Sequence, residues 1–122
     1  MPTKDKTYAI IGASNNPEKY GYIVLQDLKD SGFNVIPINP HEEKILGLKV
    51  YKTVLDYPEN IDIAVIIVQP EVTEQVVKQV KEKGIKIVWM QPGSESEGAI
   101  QFCKDNGMEV KNDDCIMLAK QA

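Results

Sequence analysis

The chain repeats one pattern three times: a stretch with a polar helical face ends in glycine, and an apolar run follows at once. The three junctions read LKDSGFNVIPI, VKEKGIKIVWM and CKDNGMEVK, with Gly32, Gly84 and Gly107 at the turn. Glycine there, with lysine in the preceding turn, is typical of a helix that ends in the left-handed conformation. The pattern therefore predicts helices that alternate with strands, which is typical of βαβ units and a parallel sheet.

The apolar runs predict six strands, at 8–12, 34–38, 49–50, 61–68, 85–90 and 108–110. Helices are expected at 18–31, 71–83 and 95–106, with a one-turn segment near 53–56. The fourth and fifth strands are almost continuously apolar, as strands covered by helices on both faces are. With right-handed crossovers, these elements predict a doubly wound parallel sheet of about five to six strands. We expect a three-layer α/β/α, Rossmann-like fold with chain-position order 3-2-1-4-5.

Composition and charge argue against a nucleic-acid-binding or membrane-spanning protein. The 122 residues are 43% hydrophobic and 26% charged, which predicts one globular domain over 1–122. A net charge of −4 gives no basic field for nucleic acid, and no apolar run is long enough for a membrane span or a signal peptide. We therefore expect a cytoplasmic protein. All 14 basic residues are lysine, so a bound phosphate would rely on backbone N–H groups, helix ends and lysine charges.

The loop after the first strand, GASNNPEKYG, is a candidate phosphate site. Gly12 ends the strand, Asn15 or Asn16 is placed to cap the first helix, and Pro17 suits the first helical position. The unpaired N–H groups of a helix start, together with the helix dipole, favour a phosphate. Gly21 falls on the helix face toward the sheet, where the lack of a side chain permits close approach.

The second strand ends in Asn39-Pro40-His41, with no acid at the position that binds an unphosphorylated ribose in NAD-binding folds. A neutral or basic turn suits a phosphorylated ribose instead, either that of NADP or that of 3′-phospho-ADP. The nearby cations are His41, Lys44 and Lys49. The residues by themselves leave these two ligands open.

Five segments taken in order, GASNNPEKYG, VIPINP, VQPEV, WMQPG and NDDC, resemble the coenzyme A-binding domain family. Its members are small single-domain proteins similar to the N-terminal domain of the succinyl-CoA synthetase alpha subunit. The resemblance runs from Tyr8 to about Leu118 and implies that coenzyme A or acyl-CoA binds across the carboxyl edge of the sheet.

The resemblance also divides the site among four loops. The first would hold the diphosphate with Gly12, Ala13, Ser14, Lys19, Tyr20 and Gly21. The second would line the adenosine end with Asn39, Pro40 and His41. After the fourth strand, the pantetheine arm would be flanked by Pro70 and Val72, and after the fifth the far side would be closed by Met90, Gln91, Pro92 and Gly93.

The sequence contains few residues or motifs that indicate a catalytic site. The single histidine lies in the adenosine loop, and no metalloprotease, C-x-x-C or G-x-S-x-G motif occurs. We expect a protein that binds CoA without catalysis, as a sensor, carrier or accessory. Two alternatives stay open: a small NADP-dependent oxidoreductase, and an interaction or regulatory subunit with a vestigial crevice. A protein partner or homo-oligomer also stays open.

The two cysteines suggest neither a disulfide scaffold nor a metal site. Cys103 is expected to pack within a helix. Cys115 follows the last strand and is a hypothetical partner for a mixed disulfide with CoA, although a buried apolar role is favoured.

Overall fold

The computed structural model describes residues 2–120. Its main sheet contains five strands: β1 Thr7–Ile11, β2 Asn34–Ile38, β5 Ile63–Ile66, β6 Ile87–Met90 and β7 Glu109–Lys111. They run in the order β2-β1-β5-β6-β7, and every neighbouring pair is parallel. A separate antiparallel hairpin joins β3 Lys44–Ile45 to β4 Leu48–Lys49. The helices are α1 Tyr20–Asp30, α2 Pro70–Lys83, α3 Glu97–Asp105 and α4 Ile116–Ala119, with a 3-10 turn at Val54–Asp56.

Side-chain alternation along β1 divides the core between the two faces of the sheet. Tyr8 and Ile10 pack with residues of α1 and α4 on one face. Ala9 and Ile11 pack with residues of α2 and α3 on the other. Both groups are buried, so the predicted three-layer α/β/α arrangement is confirmed.

The helix ends agree with the repeated pattern of the sequence. Gly32, Gly84 and Gly107 all have positive φ, at +89°, +90° and +74°. Gly84 is the C-cap of α2: its N–H donates to the Lys81 carbonyl at 3.0 Å, and the N–H of Ile85 donates to the Val80 carbonyl at 3.2 Å. Other boundaries lie within about two residues of prediction, which is ordinary for helix and strand ends.

The predicted strand at 49–50 is the main correction. Lys49 pairs with Lys44 in the hairpin, and the chain meets the main sheet only through a parallel bridge between Tyr51 and Ile38. When the six predicted strands are numbered along the chain, the third of them does not join the main sheet. The order of the sheet is therefore 2-1-4-5-6 in these numbers, instead of the predicted 3-2-1-4-5. The sixth predicted strand, β7, takes the opposite edge.

Pro37 fits this edge position. The carbonyl of Ile38 accepts from Gly12 on the β1 side, whereas the carbonyl of Pro37 faces outward and accepts from the Tyr51 N–H at 3.1 Å. The missing N–H of Pro37 thus falls on the outer side of an edge strand, where no ladder bond is lost. None of the helices described in residues 2–120 combines the length and apolar composition needed to cross a bilayer.

Candidate functional site

The register of the sheet brings four loops to one edge. Ile38, Ile11, Ile66 and Met90 are aligned as neighbours across β2, β1, β5 and β6. Because parallel strands leave the sheet in the same direction, the next residue of each strand lies in the same row. The row contains Asn39, Gly12, Ile67 and Gln91. Binding sites of open parallel sheets form at this carboxyl edge.

Helix α1 begins above this row, but later than predicted. Its first residue is Tyr20, and Lys19 is the N-cap. The Asn16 side chain accepts from the Glu18 N–H inside a preceding turn, so neither Asn15 nor Asn16 caps the helix, and Pro17 precedes it. Residues 18 and 19, which were predicted to be helical, therefore belong to the loop after β1.

The start of α1 carries no side-chain cap. The N–H groups of Tyr22 and Ile23 donate to the Lys19 carbonyl at 3.0 and 3.1 Å. The two N–H groups before them, on Tyr20 and Gly21, accordingly have no acceptor among the hydrogen bonds described for residues 2–120. Such groups carry the partial positive charge of the helix dipole.

Two glycines let backbone pack directly on backbone below this helix start. A Cβ on Gly21 would overlap the carbonyl oxygen of Gly12 and lie 3.0 Å from its carbon. A Cβ on Gly12, where φ is +99°, would lie 2.9 Å from the Ile67 carbonyl carbon and from Val68 Cγ1. The loop between them therefore has no room for a side chain at either position, in agreement with the close approach expected at Gly21.

Asn39 connects the first two loops. Its Nδ2 donates to the Ala13 carbonyl at 2.7 Å, and its Oδ1 accepts from the His41 N–H at 2.7 Å. The Ser14 hydroxyl, in turn, accepts from the Asn16 N–H at 3.0 Å. Polar side chains of this region thus order the loops themselves.

A first cavity of about 390 Å³ lies between the first two loops and α2. Its walls include five residues expected at the site, namely Gly12, Asn39, Pro40, His41 and Val72. Val72 therefore faces the side expected for adenosine and not the side expected for pantetheine. Lys52 and Thr53, which the sequence reasoning missed, also line this cavity.

A second cavity of about 320 Å³ lies on the other side of the β5 end, since Ile67 lines it while Val68 lines the first cavity. Its other walls come from Tyr20, Gln91, Pro92 and Cys115. Tyr20 is 64% exposed at the opening. Three of the expected site residues meet here.

Cys115 is partly exposed in this second cavity, which corrects the expectation that it is buried. Gln91, only 4% exposed, donates from Nε2 to the Cys115 sulfur at 3.2 Å and accepts at Oε1 from the Ile116 N–H at 2.8 Å. Cys103 is fully buried in α3, as expected, and burial raises the pKa of its thiol to about 11.

Some predicted residues do not line either cavity. Met90 is a correction: its side chain is fully buried in the core, so it supports the loop from below. Ala13 is also buried, Pro70 is the first residue of α2, and Gly93 lies in an exposed turn. The ligand contacts of all the expected site residues, including Ser14, Lys19, Pro70 and Gly93, remain predictions.

Comparison with known proteins decides the family. Residues 6–121 match the CoA binding domain family. The chain belongs to this family. As a CoA-binding domain, it is similar to the alpha subunit of acetate–CoA ligase (ADP-forming) II of Pyrococcus furiosus, with 34% identity over 88% of this chain and 26% of that subunit. It is 44% identical to the acetate–CoA ligase (ADP-forming) of Methanocaldococcus jannaschii over 66% of this chain and 12% of the ligase.

The chain thus spans about an eighth of the Methanocaldococcus jannaschii ligase and about a quarter of the Pyrococcus furiosus ligase alpha subunit. It also matches a conserved hypothetical protein of Pyrococcus furiosus of known structure, with a TM-score of 0.90 and 44% identity, covering 93% of this chain and 98% of that one.

Proposed function

We propose that this CoA-binding domain binds coenzyme A or acyl-CoA along the carboxyl edge of its sheet and serves as a sensor, carrier or accessory without catalysing ligation. The observation that carries the proposal is the uncapped start of α1, which lies between two cavities. A long ligand with a charged centre and two dissimilar arms matches that arrangement.

The diphosphate belongs over the first loop. The N–H groups of Tyr20 and Gly21 supply donors and the helix dipole supplies favourable charge. Lys19, exposed at the N-cap, adds a cation at the same place. The chain has no arginine, so these backbone N–H groups would bind the phosphates in place of a guanidinium.

The two arms of CoA belong in the two cavities. The first cavity has apolar walls at Ile38, Val68 and Val76, suited to a flat base. The second is smaller and has Cys115 among its lining residues, and it is suited to the pantetheine chain and its thiol. Both volumes, about 390 and 320 Å³, agree with the usual size of ligand pockets, about 300–1,000 Å³.

No step of ligation is assigned to this domain. Its histidine, His41, lies in the wall of the first cavity, beside the expected adenosine and away from the expected thioester end. The names of the ligase relatives support CoA as the ligand, and the small share of those ligases that the chain matches supports a binding role. A reducing cytoplasm, which keeps a partly exposed thiol such as that of Cys115 free, is the expected compartment.

Calorimetric titration with CoA, acetyl-CoA, NAD and NADPH in parallel tests the proposal. We expect saturable binding of CoA and acetyl-CoA and none of the nicotinamide nucleotides. Binding of NADPH alone would favour the oxidoreductase, and no binding by any of the four would favour the interaction subunit. Acetate–CoA ligase activity in the isolated protein, with ATP present, would refute the non-catalytic part.

A further inference from the structure

The row of loop residues at the carboxyl edge extends one position beyond β2. Tyr51 bridges Ile38 in parallel, its N–H donates to the Pro37 carbonyl at 3.1 Å, and its carbonyl accepts from the Asn39 N–H at 3.0 Å. Lys52 follows Tyr51 as Asn39 follows Ile38. The chain therefore brings Lys52 to the same edge as the first loop, on the side of the first cavity.

The backbone after Lys52 is fixed by a capping box. The Thr53 hydroxyl accepts from the Leu55 N–H at 3.2 Å, and the Asp56 carboxylate accepts from the Thr53 N–H at 3.1 Å. These bonds engage Asp56, the nearest carboxylate along the chain, with Thr53. No ion pair among the described residues involves Lys52.

The other lysines expected near the ribose are placed elsewhere. The ammonium of Lys49 lies over the Tyr51 ring, 5.0 Å from its centroid. Lys44 lies in the β3–β4 hairpin, where its carbonyl accepts from Asn15 Nδ2 at 3.0 Å. Neither lines the first cavity, whereas Lys52 and His41 do, and no aspartate or glutamate lines it within the described chain.

We propose that Lys52 binds a phosphate carried by the ribose of the nucleotide in the first cavity, so that the site selects 3′-phosphorylated adenosine over its unphosphorylated form. The inference rests on the proposed function. It assigns the selection of the phosphorylated ribose to Lys52, whereas the sequence had indicated Lys44 and Lys49 as the lysines near the ribose. A lysine is suited to this task because a terminal phosphate is a concentrated charge that a point cation pairs with from any direction. His41, which also lines this cavity, supplies a second donor.

The test compares CoA with dephospho-CoA, which differ only in the 3′-phosphate, on wild type, Lys52→Met and Lys44→Met. Both substitutions remove one exposed positive charge from neighbouring segments, so general electrostatic effects are matched. We expect wild type to favour CoA by about threefold to tenfold, the range for a charged contact open to solvent. Lys52→Met should bring the ratio near unity while dephospho-CoA binds as before. Lys44→Met should keep the wild-type ratio, and Lys52→Arg should restore it.

The outcomes are distinct. Binding of neither ligand by the wild type would overturn the proposed function and this inference with it. Binding of both with an unchanged ratio in Lys52→Met would overturn the inference alone. Equal weakening of both ligands in that variant would also overturn it, because the lysine would then act on the fold or on the diphosphate. Salt gives a second readout: higher ionic strength should lower the wild-type ratio and leave that of Lys52→Met unchanged.

Discussion

Two loops reach the same edge of the sheet, and both make side-chain hydrogen bonds, but glycine-mediated packing of backbone on backbone occurs only at the first. The first loop, residues 12–19, packs backbone against backbone, because Gly21 lies on the Gly12 carbonyl and Gly12 lies on Ile67. The far loop, residues 91–96, depends on side chains. Its contacts run from Gln91 to Cys115 and Ile116, from the Ser94 carbonyl to Thr73 and from the Gly93 N–H to the Glu95 carboxylate.

The difference teaches which end of the site can adapt. Backbone atoms in contact cannot move apart without displacing a helix or a strand, so the first loop presents one geometry. The exposed hydrogen bonds of the far loop, from the Gly93 N–H to the Glu95 carboxylate, can exchange with water or with a ligand at small net cost. A rigid first loop suits the invariant diphosphate of the proposed ligand, and an adjustable far loop suits the end where acyl groups vary. Substitutions on each side test this contrast.

The largest effect is expected for Gly21→Ala. The new methyl would overlap the Gly12 carbonyl, so α1 must move away from the first loop. Overpacking of this kind costs about 1–3 kcal/mol of stability, and loss of the aligned N–H donors lowers CoA affinity by about tenfold or more. Urea denaturation and calorimetric titration measure the two effects.

Gly98→Ala in α3 is the matched control. There the added methyl would lie 3.4 Å from the Glu74 carboxylate, at the end of a flexible side chain. Alanine is a better helix former than glycine, so this variant should be neutral or more stable by up to about 1 kcal/mol, with CoA binding unchanged. If the two variants behaved alike, the rigid packing inferred for the first loop would be wrong.

A smaller effect is expected at Asn39, which joins the first loop to the second. Asn39→Ala removes the donor to Ala13 and the acceptor for His41, at a cost of about 1–3 kcal/mol, and lowers CoA affinity by about fivefold. Asn39→Asp keeps the acceptor for the His41 N–H but turns a carboxylate oxygen toward the Ala13 carbonyl and adds a negative charge near the anionic ligand, so it should lower CoA affinity at least as much as Asn39→Ala. Wild-type affinity in both variants would show that the loops keep their places without this side chain.

The close approach at Gly21, the helix-ending glycines and the layer order were predictable, because each follows from local steric rules or from hydrophobic period. The β3–β4 hairpin was not. Its turn places Leu46 and Gly47 at φ +51° and +78°, and leucine at such a position gives no warning of the kind that Asn-Gly gives. Lys52 was missed for a related reason: the parallel contact with β2 lies at Tyr51 and not at 49–50, so the lysine that reaches the edge is Lys52 and not Lys49.

The same limit applies to the corrected site residues. Met90 ends a strand as Gln91 begins the loop, and sequence does not say at which of the two the side chains turn from core to cavity. Val72 lines the same cavity as Asn39 and His41, which sequence did not predict because the path of α2 over that cavity depends on tertiary packing. Such choices are made by contacts between elements distant in the chain, which local patterns do not encode.

The last prediction disturbs the structure least, because it uses chemical labelling instead of a substitution. Cys115, which contacts Gln91 of the far loop, is compared with Cys103 in the same protein. Iodoacetamide should label Cys115, which is partly exposed in the second cavity, well before Cys103, whose burial and raised pKa keep its thiol protonated and shielded. CoA at about ten times its Kd, with iodoacetamide kept in excess over the CoA thiol, leaves about a tenth of the sites open and should slow labelling of Cys115 about tenfold. Peptide mapping by mass spectrometry follows both residues in one sample. If adenosine 3′,5′-bisphosphate, which lacks the pantetheine arm, protected Cys115 as fully as CoA, the arm would not pass through the second cavity, and the far loop would lose its part in the site.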